Sequence, residues 1–264
     1  MIDFTVVLGL DRGTLGYLDI NIRSWQKFHP WLWERPWIAF YDPDGEYGIQ
    51  ASDIRRVCLG APVTCVPWVG AKDTYENQRE KMLSGHVYVS RLVRTEWFLK
   101  IDVDSIAIAE WDWPKDEWFD GDPVLVGPSW GYWRSKGSKY TLDEWVEILE
   151  MFGDRNFGTP RAGWIDRIGS RDHRKGPKLK DKNRWVSWLA FQRTSWVREM
   201  SDLFEKDYGT GMLPVPSHDT SLWAAAVRSG AKTLSVGVKD GWTNRVTKNS
   251  CREIMKELGF DDVV

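Results

Sequence analysis

The sequence predicts an α/β fold with a Rossmann-like, mostly parallel central sheet and flanking helices. Short apolar runs alternate with segments of helical spacing along the first half of the 264-residue chain. Most of these runs stop at turn-forming residues, and the run at 97–101 stops at two aspartates, Asp102 and Asp104. Strand–helix–strand alternation favours parallel pairing through right-handed crossovers.

The elements follow from spacing and from the residues that end them. Residues 4–10 form the first predicted strand, and Leu18, Ile22, Trp25 and Phe28 then repeat at helical spacing. Further strands are expected at 36–41, 62–68, 97–102, 123–127, 185–192 and 231–238. Further helices are expected at about 75–93, 141–153, 194–206 and 250–258, and in the segment that follows 214–219 and runs through Arg228. No glycine-rich dinucleotide fingerprint or Walker phosphate loop follows the first strand.

We expect a single domain, 1–264, with two halves. Residues 1–130 carry the regular strand–helix alternation, and residues 131–264 form a second half with mixed strands. The second half contains a basic segment, 161–184, with nine Lys or Arg against three Asp. That segment is either a solvated loop or a lid over phosphates or an anionic acceptor.

Composition narrows the class of protein. A net charge of −2 gives no overall field for nucleic acid, and three cysteines without metal-ligand spacing are typical of a reducing compartment. The chain enters its first strand without a basic leader, and no segment is apolar for long enough to span a membrane. We therefore expect a cytoplasmic protein, with peripheral membrane contact left open.

Tryptophan is unusually frequent, with 18 residues. Most are expected to pack in the core. Four lie in segments predicted as loops, where a flat ring with one N–H group could stack on a sugar: Trp130, Trp133, Trp164 and Trp242.

Asp102 and Asp104 are the candidate metal ligands. If the strand continued through them, both side chains would point the same way, because side chains alternate along a strand. Carboxylate oxygens suit Mg²⁺ or Mn²⁺, and ligands of open α/β sheets bind at the carboxyl edge. The pair indicates either a metal-assisted reaction on a diphosphate substrate or an ordinary surface turn, where Asp is common.

Together these features resemble the GT-A class of nucleotide-sugar-dependent glycosyltransferases. The resemblance rests on the order of three segments: the charged helix at 77–83, the strand with Asp-x-Asp at 97–104, and 217–223, which opens a later helix. It implies transfer of a sugar from a UDP- or GDP-type donor to a carbohydrate or other hydroxyl acceptor, with Mn²⁺ or Mg²⁺. It also implies a hexosyltransferase-like, inverting enzyme, in which residues 1–130 are the nucleotide- and metal-binding half and residues 131–264 are the acceptor-side half.

The resemblance implies roles for particular residues. Asp102 and Asp104 would bind the metal, and Asp102 would also contact the donor. Asp42 would contact the nucleotide, although turn formation explains it equally well. Arg79 and Lys81 would reach the donor phosphates or lie on a solvated helix face. Asp219 would be the general base, or only the N-cap of its helix.

Two departures from the family pattern stand out. His218 occupies the position where many relatives have Glu. Many members also have a C-terminal His that completes the metal site, but no His follows His218 here. Asn244 could take that position.

Three other classes remain open. A haloacid-dehalogenase-like phosphatase also uses a strand followed by Asp-x-Asp, but normally at the start of its fold. A sugar nucleotidyltransferase would need a basic glycine-rich loop after the first strand, and 10–16 only partly fits. A carbohydrate-binding module would explain the tryptophans alone.

Overall fold

The computed structural model describes residues 2–44, 46–68, 85, 88–128, 188–208, 222, 226, 231–245 and 247–261, with the backbone alone at 203–208. The strands of this part are β1 (Phe4–Leu10), β2 (Trp37–Tyr41), β3 (Val63–Pro67), β4 (Trp97–Ile101), β5 (Ser105–Ala107), β6 (Pro123–Gly127), β7 (Leu189–Arg193), β8 (Lys232–Ser235) and β9 (Trp242–Asn244). Its α-helices are α1 (Arg12–Phe28), α2 (Ala51–Val57), α3 (Thr194–Tyr208) and α4 (Lys248–Glu257). Short 3₁₀ turns occur at Pro30–Glu34 and Asp116–Phe119.

The central sheet of the described part has seven strands in the order β3-β2-β1-β4-β7-β6-β8. Strands β1 to β4 run parallel, as does the pair β6 and β8. Strand β7 runs antiparallel to both β4 and β6. The predicted α/β class with a mostly parallel sheet is therefore confirmed.

Buried apolar strands form the core because both faces of a parallel sheet are covered. Strands β1, β2, β4 and β6 are buried along almost their whole length. Helix α1 begins where Asp11 caps its first turn, with the Asp11 carboxylate accepting from the Thr14 amide at 2.7 Å. Helix α1 packs against the 3₁₀ turn at Pro30–Glu34, against β5 and against α4.

Strands β5 and β9 form a separate antiparallel pair. Ser105 lies opposite Asn244, and Ala107 lies opposite Trp242. This pair joins the end of the central sheet to the C-terminal helix α4, and it brings residues about 140 positions apart in sequence into contact.

Among the described residues, no helix combines the length and the apolar character that crossing a membrane requires. The predicted helix at 141–153 and the basic segment 161–184 lie outside the described residues, as do most of the predicted helices at 75–93 and after 219.

Candidate active site at the carboxyl edge of the sheet

The candidate site lies where the direction of chain winding changes. Strands β2 and β3 lie on one side of β1, whereas β4 lies on the other. The carboxyl ends of β1 and β4 therefore border a crevice, which is where open α/β sheets bind ligands. Asp11 follows β1, Asp42 follows β2 and Asp102 follows β4.

A tight turn, rather than a continuing strand, brings Asp102 and Asp104 together. Strand β4 ends at Ile101, and the Ser105 amide donates to the Asp102 carbonyl at 2.9 Å. The Asp102 amide donates to the Trp188 carbonyl at 2.7 Å, which ties the turn to the chain that leads into β7. The strand therefore does not continue through the two aspartates, so strand alternation does not set their directions, and the turn places them close enough for their charges to interact.

Asp102 is paired with a buried lysine. The Nζ of Lys100 lies 2.8 Å from Oδ1 of Asp102; the lysine side chain is 3% exposed and the aspartate side chain 36% exposed. A buried ammonium needs such a partner, because removing an isolated charge from water is costly. The pair fixes Asp102 at the mouth of the crevice while leaving part of its carboxylate accessible.

Asp104 is held by Asn244. The Nδ2 of Asn244 donates to Oδ1 of Asp104 at 2.6 Å, and the Arg245 amide donates to the Asp104 carbonyl at 3.1 Å. Burial, and then the charge of Asp102, raise the pKa of Asp104 from 3.8 to about 7. Without a cation the carboxyl of Asp104 is therefore about half protonated near pH 7.

This donor set fits a small divalent cation. Two carboxylates that repel each other in a partly buried site are stabilised by a shared ion, and oxygen donors are the ligands that Mg²⁺ and Mn²⁺ prefer. In the described ranges no group of three His, Cys, Asp or Glu side chains is placed to hold a metal. Two carboxylates suffice where substrate phosphates and water supply the other ligands.

Lys248, in the first turn of α4, contacts Tyr17 of α1. The Lys248 Nζ lies 5.4 Å from the centre of the Tyr17 ring. A Cβ on Gly16 would lie 2.5 Å from that Nζ, so a side chain at this position would displace the end of the Lys248 side chain. Burial, followed by the charges of Cys251 and Asp104, raises the pKa of Tyr17. Tyr17 therefore lies close enough to Asp104 to be affected by its charge, and Lys248 lies beside Tyr17.

Asp42 forms a turn after β2. Its carboxylate accepts from the Asp44 amide at 3.2 Å, and its own amide donates to the Leu10 carbonyl at 3.2 Å. The side chain is buried at the carboxyl edge, next to the end of β1. The bond from the Asp44 amide thus supports the turn-forming interpretation of Asp42, and its nucleotide-binding role stays a prediction.

Trp242 does not present a face for a sugar. It is buried in the core on β9, and its ring stacks on His29 with centroids 4.9 Å apart and planes 13° apart. The expectation of a carbohydrate-stacking role is therefore wrong for this residue, which instead anchors the strand that carries Asn244.

Several predicted site residues lie outside the described part of the chain. These are Arg79, Lys81, His218 and Asp219, together with Trp130, Trp133 and Trp164. The sequence interpretation also missed Lys100. Its signal was a single charged residue inside an otherwise apolar strand, which is unusual unless the charge has a partner.

The position of Asp102 within the sheet bears on the alternative that the protein is a haloacid-dehalogenase-like phosphatase. Three strands of the same sheet, β1 to β3, precede β4 in the chain. The Asp-x-Asp therefore follows the fourth strand rather than the first, and this placement does not favour the phosphatase alternative.

Neither a protein-family model nor a curated protein matches the chain. Solved structures do match it. Core-mannan synthase A (CmsA/Ktr4) from Aspergillus fumigatus, in its Mn/GDP form, is 11% identical over 92% of this chain and 75% of its own, with a TM-score of 0.52. The galactosyltransferase LgtC, in complex with donor and acceptor sugar analogues, is 13% identical over 89% of this chain and 73% of its own, with a TM-score of 0.49. The mannosyltransferase Ktr4p from S. cerevisiae is 8% identical over 85% of this chain and 66% of its own, with a TM-score of 0.47.

The likeness to core-mannan synthase A, together with the strand order, identifies the fold as that of the GT-A glycosyltransferases. At this level of identity the likeness concerns the fold.

Proposed function

We propose that the protein is a metal-dependent glycosyltransferase that transfers a sugar from a nucleoside-diphosphate donor to a hydroxyl acceptor. The observation that carries the proposal is the Asp102–Asp104 pair, two carboxylates held in one turn by Lys100 and Asn244, where burial and then the charge of Asp102 raise the pKa of Asp104 to about 7. The pair lies at the carboxyl edge of a GT-A sheet. The Mn/GDP form of core-mannan synthase A supports a divalent metal and a nucleotide donor.

In this mechanism Asp102 and Asp104 hold the cation, Lys100 fixes Asp102 and Asn244 fixes Asp104. When bound, Mn²⁺ or Mg²⁺ would supply positive charge that stabilises the departing diphosphate.

The acceptor side of the proposal depends on residues predicted from sequence. Asp219 would take the proton from the acceptor hydroxyl as it attacks the anomeric carbon, which would make the enzyme inverting. Arg79 and Lys81 would bind the donor phosphates, and Asp42 would contact the nucleotide. The acceptor would be a carbohydrate or another hydroxyl compound.

A thermal-shift panel of UDP- and GDP-type nucleotides and sugar nucleotides, with and without Mn²⁺, tests the proposal. A ligand at 100 times its Kd stabilises the folded state by about 2.7 kcal/mol, which raises Tm by roughly 5–10 °C in a chain of this size. We expect such a shift only when nucleotide and Mn²⁺ are both present.

Asp104→Ala should abolish that shift, whereas Asp240→Ala should keep it. Asp240 is exposed in the turn before β9, so its substitution removes one carboxylate from the same part of the surface without touching the pair. A wild-type protein that no nucleoside diphosphate stabilises would contradict the proposed function.

A further inference from the structure

Helix α1 presents buried polar groups to the chain that follows Asp102. Asn21, Ser24 and Trp25 are all buried and lie on one face of the helix, because they are three and four residues apart. Elsewhere the buried face of this helix is apolar, with Leu18 and Ile22 in the core. The polar patch is therefore confined to the level of the Asp-x-Asp turn.

Each of these three side chains bonds to the backbone of the turn or of β5. Asn21 Nδ2 donates to the Val103 carbonyl at 2.9 Å, and Trp25 Nε1 donates to the Ser105 carbonyl at 2.8 Å. The Ala107 amide donates to Ser24 Oγ at 3.1 Å. The helix thus holds the backbone on both sides of Asp104 through side chains alone.

The bond from Asn21 acts on the peptide unit that determines where Asp104 points. The Val103 carbonyl belongs to the planar peptide group that joins Val103 to Asp104. Fixing this carbonyl fixes the plane of that group, and with it the direction in which the Asp104 side chain leaves the backbone. The main-chain bonds to Asp102 and Asp104 described above leave this carbonyl unbonded.

Burying an asparagine at position 21 lowers the stability of the fold. It is 0% exposed, and among the described residues its Oδ1 has no hydrogen-bond partner. Its amide nitrogen also donates to Cys251 Sγ at 3.6 Å, which orients the amide with both hydrogens engaged. An unpaired buried carbonyl oxygen is unfavourable and calls for an explanation.

We infer that Asn21 is a positioning residue for the metal site, acting through the Val103 carbonyl to hold Asp104 in its metal-binding orientation. The inference rests on the proposed function and extends it to a helix that does not contact the cation. Residues that orient metal ligands typically affect metal affinity by about 10- to 100-fold.

The test is a titration of Mn²⁺ in the presence of a nucleoside diphosphate, with free Mn²⁺ measured by electron paramagnetic resonance. Asn21→Leu keeps the branch at Cγ and removes the bond but adds volume, and Asn21→Ala serves if the leucine variant does not fold. Thr5→Val is the matched control. It removes the 2.8 Å bond between the Thr5 and Thr95 hydroxyls, which lies at the opposite end of the β1–β4 pair.

We expect the Asn21 variants to raise the Kd for Mn²⁺ by about 10- to 100-fold, and Thr5→Val to stay within about twofold of the wild type. Asn21 variants that bind Mn²⁺ like the wild type would overturn the inference and leave the proposed function standing. Equal weakening by Thr5→Val would also overturn it, since general loss of stability would then explain the effect. A wild-type protein that binds no Mn²⁺ would overturn the proposed function itself, and the inference with it.

Discussion

The Asp104→Asn substitution is expected to stabilise the metal-free protein at pH 8. In the fold the pKa of Asp104 is raised from 3.8 to about 7, first by burial and then by Asp102. At pH 8 the folded protein must therefore carry a charge that its surroundings disfavour. Asparagine has nearly the same shape, carries no charge and keeps an oxygen that can accept from Asn244 Nδ2.

The size of the effect follows from the pKa. One pKa unit corresponds to about 1.4 kcal/mol, so ionising Asp104 in the fold costs at most about 4 kcal/mol more than in the unfolded chain. We expect Asp104→Asn to gain about 2–4 kcal/mol at pH 8. Because the raised pKa makes the wild type lose stability as pH rises from about 4 to about 7, the gain should be small at pH 4 and largest above pH 7.

Urea unfolding in EDTA at pH 4, 6 and 8 measures this difference. Burial lowers the pKa of His29 to about 4, so His29 destabilises the fold as pH falls from 6.5 toward 4. That contribution is the same in wild type and variant, and it cancels when their free energies of unfolding are subtracted. Asp240→Asn, which removes a charge from an exposed turn, should change the free energy by less than about 0.5 kcal/mol.

A difference between wild type and Asp104→Asn that does not grow with pH would refute this reasoning. So would a variant that is less stable than the wild type at pH 8, because Asp104 would then be favoured as a carboxylate without any metal.

Two further substitutions test the partners of the pair. Lys100→Met should lower the free energy of unfolding by about 1–2 kcal/mol in urea at pH 8, because it removes the ion pair to Asp102 and a positive charge that favours ionised Asp104. The lysine charge lowers the pKa of Asp104, so in this variant the loss of stability with rising pH should extend further above pH 7 than in the wild type, and no change in either quantity would contradict the assigned ion pair. Asn244→Ala removes the 2.6 Å bond to Asp104 and should weaken Mn²⁺ binding about tenfold by calorimetry, with unchanged affinity as the contradicting result.

The predicted elements that proved correct are those with a clear apolar run or repeat. Strands β1, β2, β3, β4 and β6 agree with their predicted runs to within one residue at each end, and α1 covers the spacing of Leu18 through Phe28. The strands are short apolar runs bounded by turn-forming residues, whereas α1 repeats its apolar residues at helical spacing. The orientation of β7, antiparallel to β4, left no trace in the pattern because a buried strand is apolar in either direction.

The short elements near the site could not be predicted in this way. Strands β5 and β9 have three residues each, which is too few for any period, and α2 has only seven. The contact of Asn244 with Asp104 depends on the pairing of those two strands across the whole chain. Asn244 was a candidate only through the family pattern, and its position beside Asp104 is now explained by strand register.

The roles of individual side chains could not be predicted either, because they depend on contacts between distant parts of the chain. Lys100 interrupts an apolar strand, but its role depends on a partner that only the turn after β4 provides. Trp242 was predicted to lie in a loop because polar and glycine residues surround it, whereas stacking on His29 buries it. Asn21 is one of several polar residues in α1, and nothing in the sequence distinguishes it from the others. Its bond to Val103 depends on how α1 packs against the turn.

The most direct test of the metal site is anomalous diffraction from crystals soaked with Mn²⁺ and UDP or GDP. The account predicts a manganese peak within about 2.0–2.3 Å of carboxylate oxygens of both Asp102 and Asp104, with diphosphate oxygens completing the coordination. Nucleotide bound with no manganese between the two carboxylates, or manganese bound elsewhere on the chain, would contradict it.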